Sequence, residues 1–116
     1  MRRLTRRGHQ IREVKDLHEP VCGRYMLLWT GLCPDNNDPV WSAYIISRRV
    51  GKAHLRNHIR RRLRESLRLL SCDRPVVMIA RSAARNASFR DLHDELERLM
   101  PRARKRADAA TLESRC

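Results

Sequence analysis

The sequence predicts a two-layer α/β sandwich, a small mixed sheet covered by helices. Three observations predict it. Two runs rich in aromatic and branched residues, Gly23 to Thr30 (GRYMLLWT) and Val40 to Ser47 (VWSAYIIS), flank GLCPDNNDP, a cluster of turn formers. A short continuous apolar run, Val76 to Ala80 (VVMIA), has the pattern of a central strand buried on both faces. Apolar residues recur at helical spacing before, between and after these runs.

Taken in order, Leu4, Ile11, Val14 and Leu17 have the spacing of a short amphipathic helix, which Pro20 ends. The two aromatic-rich runs then read as strands of an antiparallel hairpin with a long loop. Gly51 follows, where a residue without a Cβ lets the chain turn sharply. From about Lys52 to Leu70 the pattern is helical, with Leu55, Ile59, Leu63, Leu67 and Leu70 in one stripe. The breaker SCDRP separates this helix from VVMIA. Ser88 and Asp91 have the spacing of a capping box, and Phe89, Leu92, Leu96, Leu99 and Met100 mark the buried face of the helix it opens. Pro101 is expected to stop that helix. Residues 102–116 are polar, with a basic cluster at Arg102, Arg104, Lys105 and Arg106, and show no face to bury. The expectation is one domain over residues 1–101 and a disordered basic tail.

At 116 residues the chain is long enough for one modest core. Aromatic residues make up only 4%, so Leu, Val, Ile and Ala must fill it. The charge is the unusual quantity: 26 Lys and Arg against 13 acids give +13, and the pI is near 11.2. Such a balance steers a protein to phosphate backbones and makes binding salt-dependent.

That charge is concentrated. Between Arg48 and Arg68, nine basic side chains (Arg48, Arg49, Lys52, Arg56, Arg60, Arg61, Arg62, Arg64 and Arg68) face a single acid, Glu65. On the helix, Asn57, Arg61, Arg64 and Arg68 fall roughly 180° from the apolar stripe, with Arg60 on the flank. Arginine dominates, and its planar fork grips phosphate oxygens bidentately or stacks on bases. Asn57 adds an amide able to donate and accept toward a base, a ribose or a phosphate. A merely solvated face would carry acids at i and i+4, and here they are missing. A membrane-surface or calmodulin-target helix has a similar amphipathic look, but this one is embedded in a globular pattern. Tyr25, Trp29, Trp41 and Tyr44 lie on the expected strands, where each serves either the core or a stack with single-stranded bases.

Other classes find less support. The cysteines Cys22, Cys33, Cys72 and Cys116 are separated by 10, 38 and 43 residues, with no C-x-x-C pair. A metal site from His18, Cys22 and Cys33 lacks the usual tight spacing, and Asp35 and Asp38 read as turn formers. The histidines and acids suggest no catalytic constellation. MRRLTRR is basic, but no apolar segment of about 7–15 residues follows, and nothing is long enough to span a membrane. A cytoplasmic protein is expected. A double-stranded DNA reader would more naturally show a helix-turn-helix or a dimer seam.

Val50-Gly51-Lys52-Ala53, Arg56-Asn57, Arg60-Arg61-Arg62-Leu63-Arg64-Glu65 and Arg68 together resemble the signature of the bacterial ribonuclease P protein subunit. The resemblance implies a ribosomal-protein-like sandwich with a left-handed βαβ crossover, against the usual hand. It implies a protein that assists a catalytic RNA in removing the 5′ leader of precursor tRNA. The implied partners are ribonuclease P RNA and precursor tRNA, in a monomeric 1:1 complex with the RNA and away from membranes. The resemblance further implies Mg²⁺ held mainly by the RNA, no organic cofactor and no catalytic residue in this chain. The RNA-binding positions carried over are Arg48, Lys52, Arg56, Asn57, Arg60, Arg61, Arg64 and Arg68; the leader-binding candidates are Tyr25 and Tyr44. Two departures stand out: His58 takes the third place of the Arg-Asn-Arg triplet, and Ile11 stands where the family has an early Phe on its leader-binding sheet surface. A ribosomal or other structural RNA-binding protein is the alternative reading.

Overall fold

The computed structural model describes residues 6–32 and 40–114, with side chains over 8–32 and 40–110. The loop holding Cys33, Asp35 and Asp38, and also Leu4 and Cys116, lie outside the described residues. Helix α1 (Arg6–Leu17) is followed by strands β1 (Val21–Cys22), β2 (Met26–Thr30) and β3 (Ser42–Ile45). Helix α2 (Ala53–Leu69), strand β4 (Val76–Ala80), a 3-10 turn at Ser82–Asn86 and helix α3 (Phe89–Ser114) complete the chain.

The sheet runs β1-β2-β4-β3, with β2 antiparallel and β3 parallel to β4. The expected β2–β3 hairpin does not form. VVMIA is apolar on both faces, which suits the centre of a sheet covered on both sides, and β4 takes that place with Val76, Val77 and Met78 all fully buried. The half-exposed β3 is left to the edge, and α2 is the crossover that makes β3 and β4 parallel.

Alternation along the strands divides the core in two. Met26, Leu28, Val76 and Met78 face α2 and α3, where they meet Ile59, Leu63, Leu92 and Leu96 in the principal cluster. Trp29 and Val77 point the other way, against Val14 of α1, with Ile11, Leu27, Trp41, Ala43 and Ile79 around them.

Helix α2 matches its expected span, with Lys52 and Leu70 as its caps. Ile59, Leu63, Ser66 and Leu67 are buried, and Leu55 and Leu70 pack at the margin. The capping box of α3 is present: Ser88 N donates to Asp91 Oδ2 and Asp91 N to Ser88 Oγ, each at 3.1 Å.

Beyond that point the structure corrects the sequence reading. Helix α3 continues through Pro101 to Ser114, so residues 102–114 are a docked helix rather than a disordered tail. Pro101 removes the hydrogen bond its nitrogen would have given the Glu97 carbonyl and sets its ring against that carbonyl, on the exposed side of the helix. The offsetting contacts are Ala103 and Ala107, which extend the Leu96–Leu99 stripe and are fully buried. Arg106 Nη1 donates to the Pro20 carbonyl at 2.8 Å, and Arg104 lies 3.9 Å from Asp73.

One buried carboxylate ties α3 to the sheet. Glu95 accepts hydrogen bonds from the backbone N–H groups of Arg24 and Tyr25 and pairs with Arg98 at 3.6 Å. It presses so closely on the β1–β2 turn that a Cβ on Gly23 would lie 2.5 Å from the carboxylate. Glu95→Ala strands those two donors and is expected to lower the unfolding free energy by about 2 kcal/mol, measured by urea denaturation.

Candidate nucleic-acid interface

The packing of α2 decides which of its side chains are available. With the Ile59–Leu63–Leu67 stripe buried, Asn57, Arg61, Arg64 and Arg68 are exposed on the far side, and Arg60 is half-buried beside them. Seventeen residues extend this surface over about 25 Å. Arg60 Nη1 donates to Asn57 Oδ1 at 3.0 Å, which fixes the amide and leaves its NH₂ free to donate outward. Arg56 is half-buried, its Nε shielded from solvent and without a hydrogen-bond partner among the described residues.

The N-terminal end adds to the positive field. Helix α2 has no acid in its first turn and no side-chain cap, so its orphan N–H groups are left to solvent or an anion. Lys52 sits at that N-cap and is exposed, as are Arg48 and Arg49 in the turn closed by Val50 N donating to the Ser47 carbonyl. The structure therefore brings together the eight RNA-binding candidates from Arg48 to Arg68 on α2 and its entry turn.

Two arginines of the run behave differently from the rest. Arg62 Nη1 donates to the Ala87 carbonyl at 2.9 Å and ties α2 to the start of α3. Its place three residues after Ile59 and one before Leu63, on the margin of the apolar stripe, is the signal for that role. Arg68 donates from Nε and Nη2 to the Glu65 carboxylate, and this hydrogen bonding holds Glu65 below the usual carboxylate range. Arg68 is thus already paired within the helix.

Tyr25 and Tyr44, the leader-binding candidates, both lie on the α2–α3 side of the sheet. Tyr25 lies at the β1–β2 turn under the Arg24 guanidinium, 5.5 Å from its centroid, and both Tyr25 and Tyr44 pack against the principal core on the α2–α3 side. The aromatics of the opposite face are Trp29 and Trp41. Trp29 is buried, with Lys15 Nζ 5.2 Å over its ring. Trp41 is half-buried, and Ile45 is 38% exposed at the β3 edge, beyond α1.

Ser66, His93 and Glu97 line up like a catalytic triad, with 2.7 Å from Ser66 Oγ to His93 Nδ1 and 3.8 Å from His93 Nε2 to Glu97. Ser66 is fully buried between α2 and α3, so its hydroxyl joins helices and meets no substrate. Among the described residues no group of three or more His, Cys, Asp or Glu could hold a metal ion, and no helix is long and apolar enough to cross a membrane.

A family model, Ribonuclease P, matches residues 2–104, almost the whole of the fold just described. The chain belongs to the ribonuclease P protein family. It is 32% identical over 101 residues to the ribonuclease P protein component of Acidothermus cellulolyticus, covering 84% of both chains. To that of Gluconacetobacter diazotrophicus it is 33% identical over 82 residues, covering 66% of this chain and 71% of the relative. The RNase P protein of Staphylococcus aureus superposes with a TM-score of 0.70 at 20% identity, over 85% of this chain and 93% of that one. That of Thermotoga maritima gives 0.65 at 20% identity, over 87% and 97%. These structures share the compact α/β fold with its mixed four-stranded sheet. Family membership decides between the two RNA-binding readings in favour of tRNA processing over a ribosomal role.

For this family surface, Arg61→Ala and Arg64→Ala are each expected to reduce the slope of log affinity for RNA against log salt by about one. Arg68→Ala reduces it by less, because Glu65 already neutralises that side chain. Filter binding across a salt series separates the three.

Proposed function

We propose that this chain is the protein subunit of a ribonucleoprotein endoribonuclease, in a 1:1 complex with ribonuclease P RNA, and that hydrolysis of the 5′ leader of precursor tRNA takes place in the RNA. One observation carries the reading: α2 turns Arg61, Arg64 and Arg68 outward beside the half-buried Arg60, and Glu65 is the one acid in the helix. Arginines three and four apart repel unless an external polyanion screens them, and a folded RNA supplies phosphates at that density. Exposed arginines and the Asn57 amide then fix the register of the protein on the RNA through phosphate and ribose contacts.

In this reading Mg²⁺ is held mainly by RNA phosphates, and the protein acts by neutralising charge where strands crowd. The leader of the precursor passes along the α1 side of the sheet. Support comes from the half-buried Trp41 and exposed Ile45 there, a surface on which unstacked bases can lie without sequence preference. Ile11 belongs to the same cluster, so the missing Phe is replaced by an aliphatic contact next to a tryptophan.

The test is cleavage of a 5′-extended precursor tRNA at low Mg²⁺ by the protein and the ribonuclease P RNA of its source, each omitted in turn. Cleavage at the mature 5′ end is expected only with both, and is lost in the Arg61→Ala, Arg64→Ala double variant. Trp41→Ala is expected to remove the preference for precursor over mature tRNA while the RNA subunit still binds. Folded protein that neither binds nor stimulates that RNA would sink the assignment.

A further inference from the structure

On the side of the sheet away from α1, a groove of about 400 Å³ runs between the β3 edge and the C-terminal half of α2. That is within the roughly 300–1,000 Å³ range of small-molecule sites. Tyr44, Leu67 and Cys72 line it, and Arg64, Arg68 and Arg74 supply its charge; no acid is among its lining residues. Arg74 is a fixed cation, its side chain 9% exposed and paired with Asp108 at 3.2 Å. Arg64 and Arg68 are exposed and belong to the outer face of α2.

A second feature marks the same place. Ser71, directly after the α2 C-cap, lines the groove and is the one non-glycine residue with positive φ, at 50°, among the described residues. Glycine or asparagine usually takes that position because a Cβ is strained there. The chain keeps a hydroxyl-bearing residue where glycine is the easier choice, and strain of this kind gathers at functional positions.

An apolar, aromatic-walled slot with guanidinium groups at its rim has the two halves of a nucleotide's chemistry. A base presents an apolar face with polar edges, and its phosphate is attached a few ångströms away. We propose that this groove takes one unpaired nucleotide of the bound RNA, its base against Tyr44 and Leu67, its phosphate on Arg64 and Arg68, and the Ser71 hydroxyl at the base edge or ribose. The proposal rests on the RNA-binding reading above and adds to it a site for a flipped-out base at the C-terminal end of the basic helix, on the face opposite Trp29. Phosphate on Arg68 competes with Glu65 for the same donors, so occupancy draws this arginine out of its pair within the helix.

The test uses the full chain, ¹⁵N-labelled and titrated with a short oligoadenylate at low salt, followed by binding of ribonuclease P RNA to Tyr44→Leu and Ser71→Gly. Amide shifts are expected at Tyr44, Ser71 and Cys72. Tyr44→Leu is expected to weaken RNA binding about fivefold or more, the range of one base–aromatic stack. Its salt slope stays unchanged, since no phosphate contact is removed. Ser71→Gly is expected to weaken binding while unfolding at the same or a higher urea concentration, which separates a contact from a folding defect. Shifts confined to the outer face of α2, or variants that bind like the parent, overturn the groove and leave the proposed function standing. Groove shifts that grow with protein concentration in the absence of RNA show a second copy of the chain there, and also overturn it. Failure of the parent protein itself to bind the RNA overturns the underlying reading instead.

Discussion

The burial of one stripe of α2 is the constraint from which the rest follows. Ile59, Leu63 and Leu67 go into the core with Ser66, and because a helix is rigid the opposite face is fixed by that choice. Arg61 and Arg64 cannot turn inward without bringing Leu63 out. Apolar burial of roughly 1.5–3 kcal/mol per large side chain therefore holds in place a row of charges that would not gather unaided. Arg62 reinforces the orientation through its hydrogen bond to the Ala87 carbonyl.

Acids are distributed to keep that row clear. Of the 13 acids, six lie in α3 and one in α2. Five of those in α3 are engaged within the protein: Asp91 in the capping box, Asp94 with Arg90, Glu95 on the β1–β2 turn, Glu97 with His93 and Asp108 with Arg74. Helix α3 thus carries much of the internal pairing, while α2 keeps a nearly unopposed field. The self-repulsion of α2 weakens the free protein and is relieved by a polyanion, so part of the binding energy is stored as electrostatic strain in the unbound state.

Much of this was legible in the sequence where the signal is local. The span of α2 is readable because a 3.6-residue apolar period and a basic counter-face coincide, and the capping box because it needs only Ser88 and Asp91. The pairing of strands is not local. VVMIA announces burial on both faces, but which strands flank it depends on the α2 crossover, and the turn-rich loop between β2 and β3 suggests a hairpin that the central strand displaces. The far half of α3 was hidden for another reason. Pro101 is a strong local signal, and the small residues Ala103 and Ala107 that overrule it are weak as hydrophobic markers yet allow close approach. Tyr44 was singled out as an aromatic on a strand, but which face of the sheet it would occupy depended on the edge position of β3.

That edge position has a consequence for function. An edge strand offers unpaired backbone groups and invites association, and β3 is short, half-exposed and next to Arg64 and Arg68. A guanidinium-rich border disfavours a second copy of this +13 chain and favours an anionic strand. Trp41 is shared by the two surfaces that meet at this edge, since it packs with Val14 and Trp29 on the α1 side and also borders the groove on the α2 side. The edge therefore joins the surface assigned to the leader with the helix assigned to the RNA subunit. In the proposed assembly one small sheet serves two RNAs, and β3, at the edge of the sheet among the described residues, gives each of them a face of it.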